Sequence, residues 1–188
     1  MSSIHSNSVT TPTVKTDAIT KQDGSAFSMG KVLQVVQTKK TDTTSFSISS
    51  GGTHTDTGFS ASITPSSTSS KILVQIMLNH GTSSNQIVGI ILKANNSNTD
   101  IIGDASSSRA RLTAVYHSEE PSGSTTIPIT ALHSPNSTSQ QTYTLNYRHN
   151  SSSTRTHYIN RSNDDNNASG NGMGPRPMSI IILTEIAG

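Results

Sequence analysis

Apolar residues in this chain come in short bursts set off by polar punctuation. Gly30-Lys31-Val32-Leu33-Gln34-Val35-Val36, Ser70-Lys71-Ile72-Leu73-Val74-Gln75-Ile76 and Ser179-Ile180-Ile181-Ile182-Leu183-Thr184-Glu185-Ile186 are β-branched runs flanked by Ser, Thr, Gly or Pro. That is the signature of a buried strand between turns. Similar windows recur from Gly30 onward and predict ten strands, near 31–38, 44–49, 58–63, 71–79, 87–93, 110–117, 126–133, 142–149, 155–161 and 178–186. Within 71–79, Ile72, Val74, Ile76 and Leu78 share one face and Leu73, Gln75, Met77 and Asn79 the other. The first face is expected in the core and the second against a neighbouring subunit. Tyr143, Leu145 and Tyr147 alternate with Thr142, Thr144, Asn146 and Arg148, which makes that strand one-sided.

Long helices are disfavoured, because Ser, Thr and Asn side chains compete for backbone hydrogen bonds in a helix interior. The fold class expected is all-β: an antiparallel β-sandwich or jelly roll. The predicted organisation is an extended N-terminal arm over 1–29 and a β-sandwich head over 30–188. In the arm, isolated apolar residues (Ile4, Val9, Val14, Ile19 and Phe27) fit neither a helical nor an alternating period. They are read as anchors that fill pockets on a partner surface. The polar tracts 94–108 and 162–177 read as loops, the second unusually long.

Composition sharpens this picture. Ser and Thr make up about a third of the chain, while 13% of residues are charged and 4% aromatic. So few apolar side chains leave a lone subunit short of the burial that offsets about 1–2 kcal/mol of backbone entropy per ordered residue. Association of identical subunits is therefore expected. The net charge of +2 is spread without a basic cluster, which argues against nucleic acid as a partner. Met1-Ser2-Ser3-Ile4-His5 lacks the charged start and apolar core of a signal peptide, and no segment approaches a membrane span. No membrane insertion is expected.

Candidate chemistry is sparse. His80, His117, His133, His149 and His157 fall near predicted strand ends without the close spacing of metal ligands, and are expected to be exposed. Asp164 and Asp165 lack the ordered spacing of a calcium loop and read as solvated. The chain contains no nucleophile elbow, P-loop or dinucleotide fingerprint. No catalytic residue, cofactor or metal is assigned, and the protein is expected not to be an enzyme. Asn163, Asp164, Asp165, Asn166 and Asn167, followed by Gly170, Gly172, Gly174, Pro175 and Pro177, are read as an exposed, mobile surface-recognition loop.

Several segments carry a family likeness. Gly30–Val36, Lys40-Thr41-Asp42-Thr43, Ser62-Ile63-Thr64-Pro65-Ser66-Ser67 leading into Ser70–Val74, Tyr158-Ile159-Asn160-Arg161-Ser162 and Ile180–Ala187 resemble small β-rich virion proteins of tailed phages, especially marine and cyanobacterial ones. The resemblance covers residues 30–188. It implies a virion structural protein, assembled in the host cytoplasm and released by lysis, whose head is a homotrimeric jelly roll. The leading expectation is a tail-fibre or appendage head, anchored to other virion proteins by its arm and adhering to a host-surface glycan or protein. A capsid decoration or cement protein is the alternative, and a polysaccharide depolymerase a second. The last lacks the aromatic sugar platforms such enzymes favour, since the chain has no Trp.

Overall fold

The computed structural model describes residues 30–49, 54–95, 97, 101–118, 123–165 and 174–188. The arm residues Ile4, Val9, Val14, Ile19 and Phe27 lie outside them, as do Asn166 and Asn167. The chain divides into Met1–Gly30 and Lys31–Gly188, and the second unit is the one described.

Among the described residues ten strands form: β1 (Val32–Lys40), β2 (Thr44–Ile48), β3 (Thr55–Ile63), β4 (Lys71–Thr82), β5 (Gln86–Ala94), β6 (Ala114–Ser118), β7 (Thr125–His133), β8 (Gln141–His149), β9 (Arg155–Ile159) and β10 (Ser179–Ile186). Every predicted window overlaps one, with several strands running past the predicted bounds, and all pairings are antiparallel. The strands make two sheets, β1-β10-β4-β9-β2 with β7 on β4, and β3-β8-β5-β6. This is the antiparallel β-sandwich expected from the alternation.

The larger sheet is four ribbons wide. β4 pairs with β10 along Lys71–Met77 and with β9 along His80–Thr82, so β10 and β9 lie end to end beside it. β1 and β2 run end to end outside them. Counting β1 with β2 and β9 with β10 as single interrupted strands gives the orders 1-8-3-6 and 2-7-4-5, the connectivity of a jelly roll.

The two interruptions coincide, and a polar weld joins them. Asn160, in the left-handed region at φ 61°, donates from Nδ2 to the carbonyl oxygens of Lys40 (2.7 Å) and Asp42 (2.9 Å). Its Oδ1 accepts from Ser179 Oγ at 2.7 Å, and Ser179 Oγ accepts from the Asn79 N–H at 2.9 Å. All three side chains are buried, so each hydrogen bond replaces one that water cannot supply. Gly81 lets the chain leave β9 here: a Cβ at that position would collide with the Arg161 carbonyl oxygen.

The core lies between the sheets. Ile72, Val74, Ile76 and Leu78 of β4, with Ile181 and Leu183 of β10, face Phe59 and Ile63 of β3, Tyr143, Leu145 and Tyr147 of β8, and Ile90 and Leu92 of β5. Each fully buried aliphatic side chain contributes about 1.5–3 kcal/mol, which is how a Ser/Thr-rich chain sustains one compact core.

Candidate interaction surfaces and buried polar clusters

The outer faces of the two sheets differ. On the larger sheet, register places Val35, Thr184, Leu73 and Leu132 in one row, and Lys39, Ile180, Met77 and Pro128 in another. Val35 (59%), Leu132 (54%) and Met77 (47%) are strongly exposed. Met77, Pro128, Ile180 and Ile182 line a shallow groove of about 240 Å³ together with Gln75 and Thr130. The row between these two, Gln37, Ile182, Gln75 and Thr130, carries no charge.

The smaller sheet turns Ser62, Thr142, Thr144 and Arg148 outward. Its outer positions Gly89 and Ile91 on β5 are buried under the chain itself, whereas Ile87 (43%) and, on β6, Val115 (61%) are exposed. Leu112 lies over Gly89, and Thr113 ties the covering segment down through its N–H to the Ile90 carbonyl (2.9 Å) and its Oγ1 as acceptor of the Leu92 N–H (2.9 Å). Thus the smaller sheet's outer face is partly self-covered, with Val115 and Ile87 open at its β5-β6 side, and the larger sheet's outer face carries two largely apolar rows on either side of an uncharged one.

The described part of the 162–177 tract is held by its own chain. Tyr158 Oη donates to Asn163 Oδ1 at 2.8 Å, and the Arg161 guanidinium lies 4.1 Å over the Tyr158 ring. Asp165 accepts two hydrogen bonds from Arg176, at 2.7 and 2.8 Å, and pairs with Arg161 at 3.0 Å. These contacts close the base of the insertion. Asn163 and Asp165 are half-buried, Ser162 is buried, and only Asp164 of the described acidic-amide run is exposed.

The histidine expectation requires correction. His117 is exposed, but His80, His133, His149 and His157 are buried. The alternation that defines the core also points these rings inward: His80 continues the series Ile72, Val74, Ile76, Leu78, and His149 continues Tyr143, Leu145, Tyr147. Extending that count by one step is the signal that finds them.

Three of these rings meet between the sheets. His80 Nε2 lies 3.2 Å from His157 Nδ1, and the His149 ring is 5.4 Å from that of His157. His157 stacks on Phe46 of β2 at 5.7 Å and meets Tyr147 of β8 edge-on at 5.8 Å. His80 meets Tyr147 at 5.1 Å and Tyr116 at 6.2 Å. Burial, and then repulsion from His157, push His80 down to about 3; burial, and then His149, push His157 down to about 4. His80 and His157 are therefore neutral at pH 7. His80 Nδ1, His157 Nε2 and Tyr147 Oη have no hydrogen-bond partner among the described residues.

A second buried polar cluster sits at the opposite end of β4. Glu185 is fully buried, yet it accepts from the Ser66 N–H, Ser66 Oγ and Ser70 Oγ, each at 2.7 Å, and from Gln34 Nε2 at 2.6 Å. Burial opposes the charge, and the donors from Ser66, Ser70 and Gln34 more than offset it, so the carboxyl titrates at about 2. Sequence reasoning did not single out Glu185, although it too lies on the core face of its strand.

Glu185 spends its lone pairs on internal donors. No group of three His, Cys, Asp or Glu with metal-binding geometry occurs among the described residues. No protein-family model and no curated protein matches the chain. Among solved structures, it is similar to a chain in the structure of infectious bursal disease virus Gx strain, at 15% sequence identity and a TM-score of 0.44. The match covers 86% of this chain and 40% of that one, so the present chain spans about two-fifths of the length of that protein.

Proposed function

We propose that this protein is a non-enzymatic structural component of a tailed-phage particle: a homotrimeric jelly-roll head, anchored through residues 1–29, that presents its polar loops to a host surface. The observation that carries the reading is the outer face of the larger sheet. There two largely apolar rows, with Val35, Leu132 and Met77 exposed, flank an uncharged row, which suits contact with further copies of itself. Jelly rolls serve elsewhere as viral capsid and lectin domains, a fold-level analogy that fits this use. The sequence likeness over residues 30–188 points the same way.

Light scattering on the purified full chain tests the assembly. Three chains of 19.8 kDa are expected to travel together. Met77→Lys with Ile182→Lys is expected to release folded monomers, because two ammonium groups desolvate poorly in an apolar contact. A folded wild-type monomer at micromolar concentration would remove the reading. Electron microscopy of labelled particles then separates the two placements: signal on tail appendages supports adhesion, and signal on the shell identifies a decoration protein instead.

A further inference from the structure

We propose that His80, His149 and His157 form an acid-sensitive clasp, which holds β2 and β9 against the second sheet when neutral and releases them on mild acidification. The inference is independent of particle location and of oligomeric state. β2 and β9 are five residues each, and beyond their pairing with each other β9 joins the sheet at the end of β4, through its pairs with His80, Gly81 and Thr82 and the flanking backbone bonds from the Ser83 N–H to the Thr156 carbonyl (2.9 Å) and from the Asn160 N–H to the Asn79 carbonyl (3.0 Å). Much of what secures this end is therefore ring packing across the interior, from Phe46 and His157 on one sheet to Tyr147 and His149 on the other.

The hydrogen-bond geometry admits only limited protonation. Across the 3.2 Å contact one of His80 Nε2 and His157 Nδ1 must carry the proton and the other accept it. Charging both rings places N–H against N–H and destroys the bond. His149 is similarly committed: its Nε2 faces the Ile48 carbonyl at 3.2 Å and its Nδ1 accepts the Ser151 N–H at 3.1 Å, so a second ring proton would oppose that donor.

The surroundings offer little compensation. β8 contributes Tyr147, whose hydroxyl burial keeps neutral, and β6 contributes Tyr116. β2 contributes the uncharged Phe46, and β5 carries Gln86, uncharged and buried with its Oε1 unpartnered. The remaining charge is Arg155 on β9, another cation, two residues from His157. No carboxylate among the described residues pairs with the three rings. His80 and His157 thus bind their protons more readily in the open state than in the closed one, so acid favours opening.

The sign is fixed by depressed folded-state values near 3 and 4 against an ordinary value of 6.5. Closure is fully favoured above about pH 6.5 and weakens as pH falls below it. Two such groups raise the opening constant by roughly 10³-fold at pH 5 relative to pH 8.

Hydrogen exchange of the full chain at pH 7.5 and 5.0, corrected for intrinsic rates, reads this directly. Peptides over Thr44–Ile48 and Arg155–Ile159 are expected to lose protection by two to three orders of magnitude while Ile72–Leu78 and Ile181–Leu183 retain theirs. Unchanged protection at 44–48 and 155–159, or equal loss across both sheets, would overturn the clasp. The double variant His80→Leu/His157→Phe is expected to abolish the acid response. Should it not fold, imidazole NMR of the wild type decides: rings of His80 and His157 that titrate near 6.5 in the closed protein overturn the proposal, and rings neutral below pH 5 uphold it.

Discussion

The two ends of β4 bury polar groups in opposite ways. At the Ser70 end, a carboxylate that ought to resist burial is surrounded by four donors and stays charged. At the Thr82 end, imidazoles that ought to tolerate burial are stacked against one another with ring nitrogens unpartnered, and are kept neutral. Burial is equally complete at both. The number and sign of the partners decides whether it fixes a charge or forbids one.

The difference gives the ends separate pH windows. Glu185 has a depressed folded-state value, so its contribution is present above its ordinary value of 4.5 and declines as pH falls toward about 2. The histidine end begins to weaken at about 6.5. Between roughly 6.5 and 4.5, only the histidine end responds.

The largest expected effect breaks the comparison by pH alone. Thermal unfolding of the wild type, followed by circular dichroism, should show stability falling by about 5 kcal/mol between pH 7 and 4.5, at about 1.4 kcal/mol per histidine per pH unit. A melting temperature that stays flat across this interval would mean the rings are not neutral in the closed protein.

Next in size is Glu185→Leu, which strands the Ser66, Ser70 and Gln34 donors in a dry site. A loss of about 3–5 kcal/mol is expected at pH 7.5, lowering the melting temperature by on the order of 10 °C. Chemical denaturation gives the value, and a loss under about 1 kcal/mol would show that the cage contributes little.

The smallest effect sharpens the contrast. At pH 7.5 the double variant His80→Leu/His157→Phe is expected to stay within about 1 kcal/mol of wild type, because both partners of one hydrogen bond leave together and unpartnered nitrogens leave with them. His157→Phe alone, which strands His80 Nε2, is expected to cost more than the pair. Additive losses in this double-mutant cycle would mean the rings act independently.

Much of the scaffold was legible from spacing. β-Branched runs between Ser, Gly and Pro located all ten strands, and period-two alternation identified the core faces of β4 and β8 correctly. The same rule carried to its end would have buried His80 and His149, and placed Glu185 behind Ile181 and Leu183. For the histidines it was overruled by residue type, since histidine at a strand end is usually exposed, and Glu185 was not weighed at all. The insertion at 162–177 was visible as a long polar tract, but its basal clamp was not, because Arg161, Asp165 and Arg176 read singly as ordinary surface charges.

The sequence by itself determined which side chains point inward, because alternation is a property of the strand backbone and needs no partner. Whether an inward polar group becomes a satisfied cage, a weld or a clasp was decided only by tertiary structure. His80 and His157 are 77 positions apart and Glu185 and Ser66 are 119 apart. Strand order and register bring them together, and the energies of hydrogen bonds and buried charges depend on separations of a few ångströms that spacing along the chain does not encode.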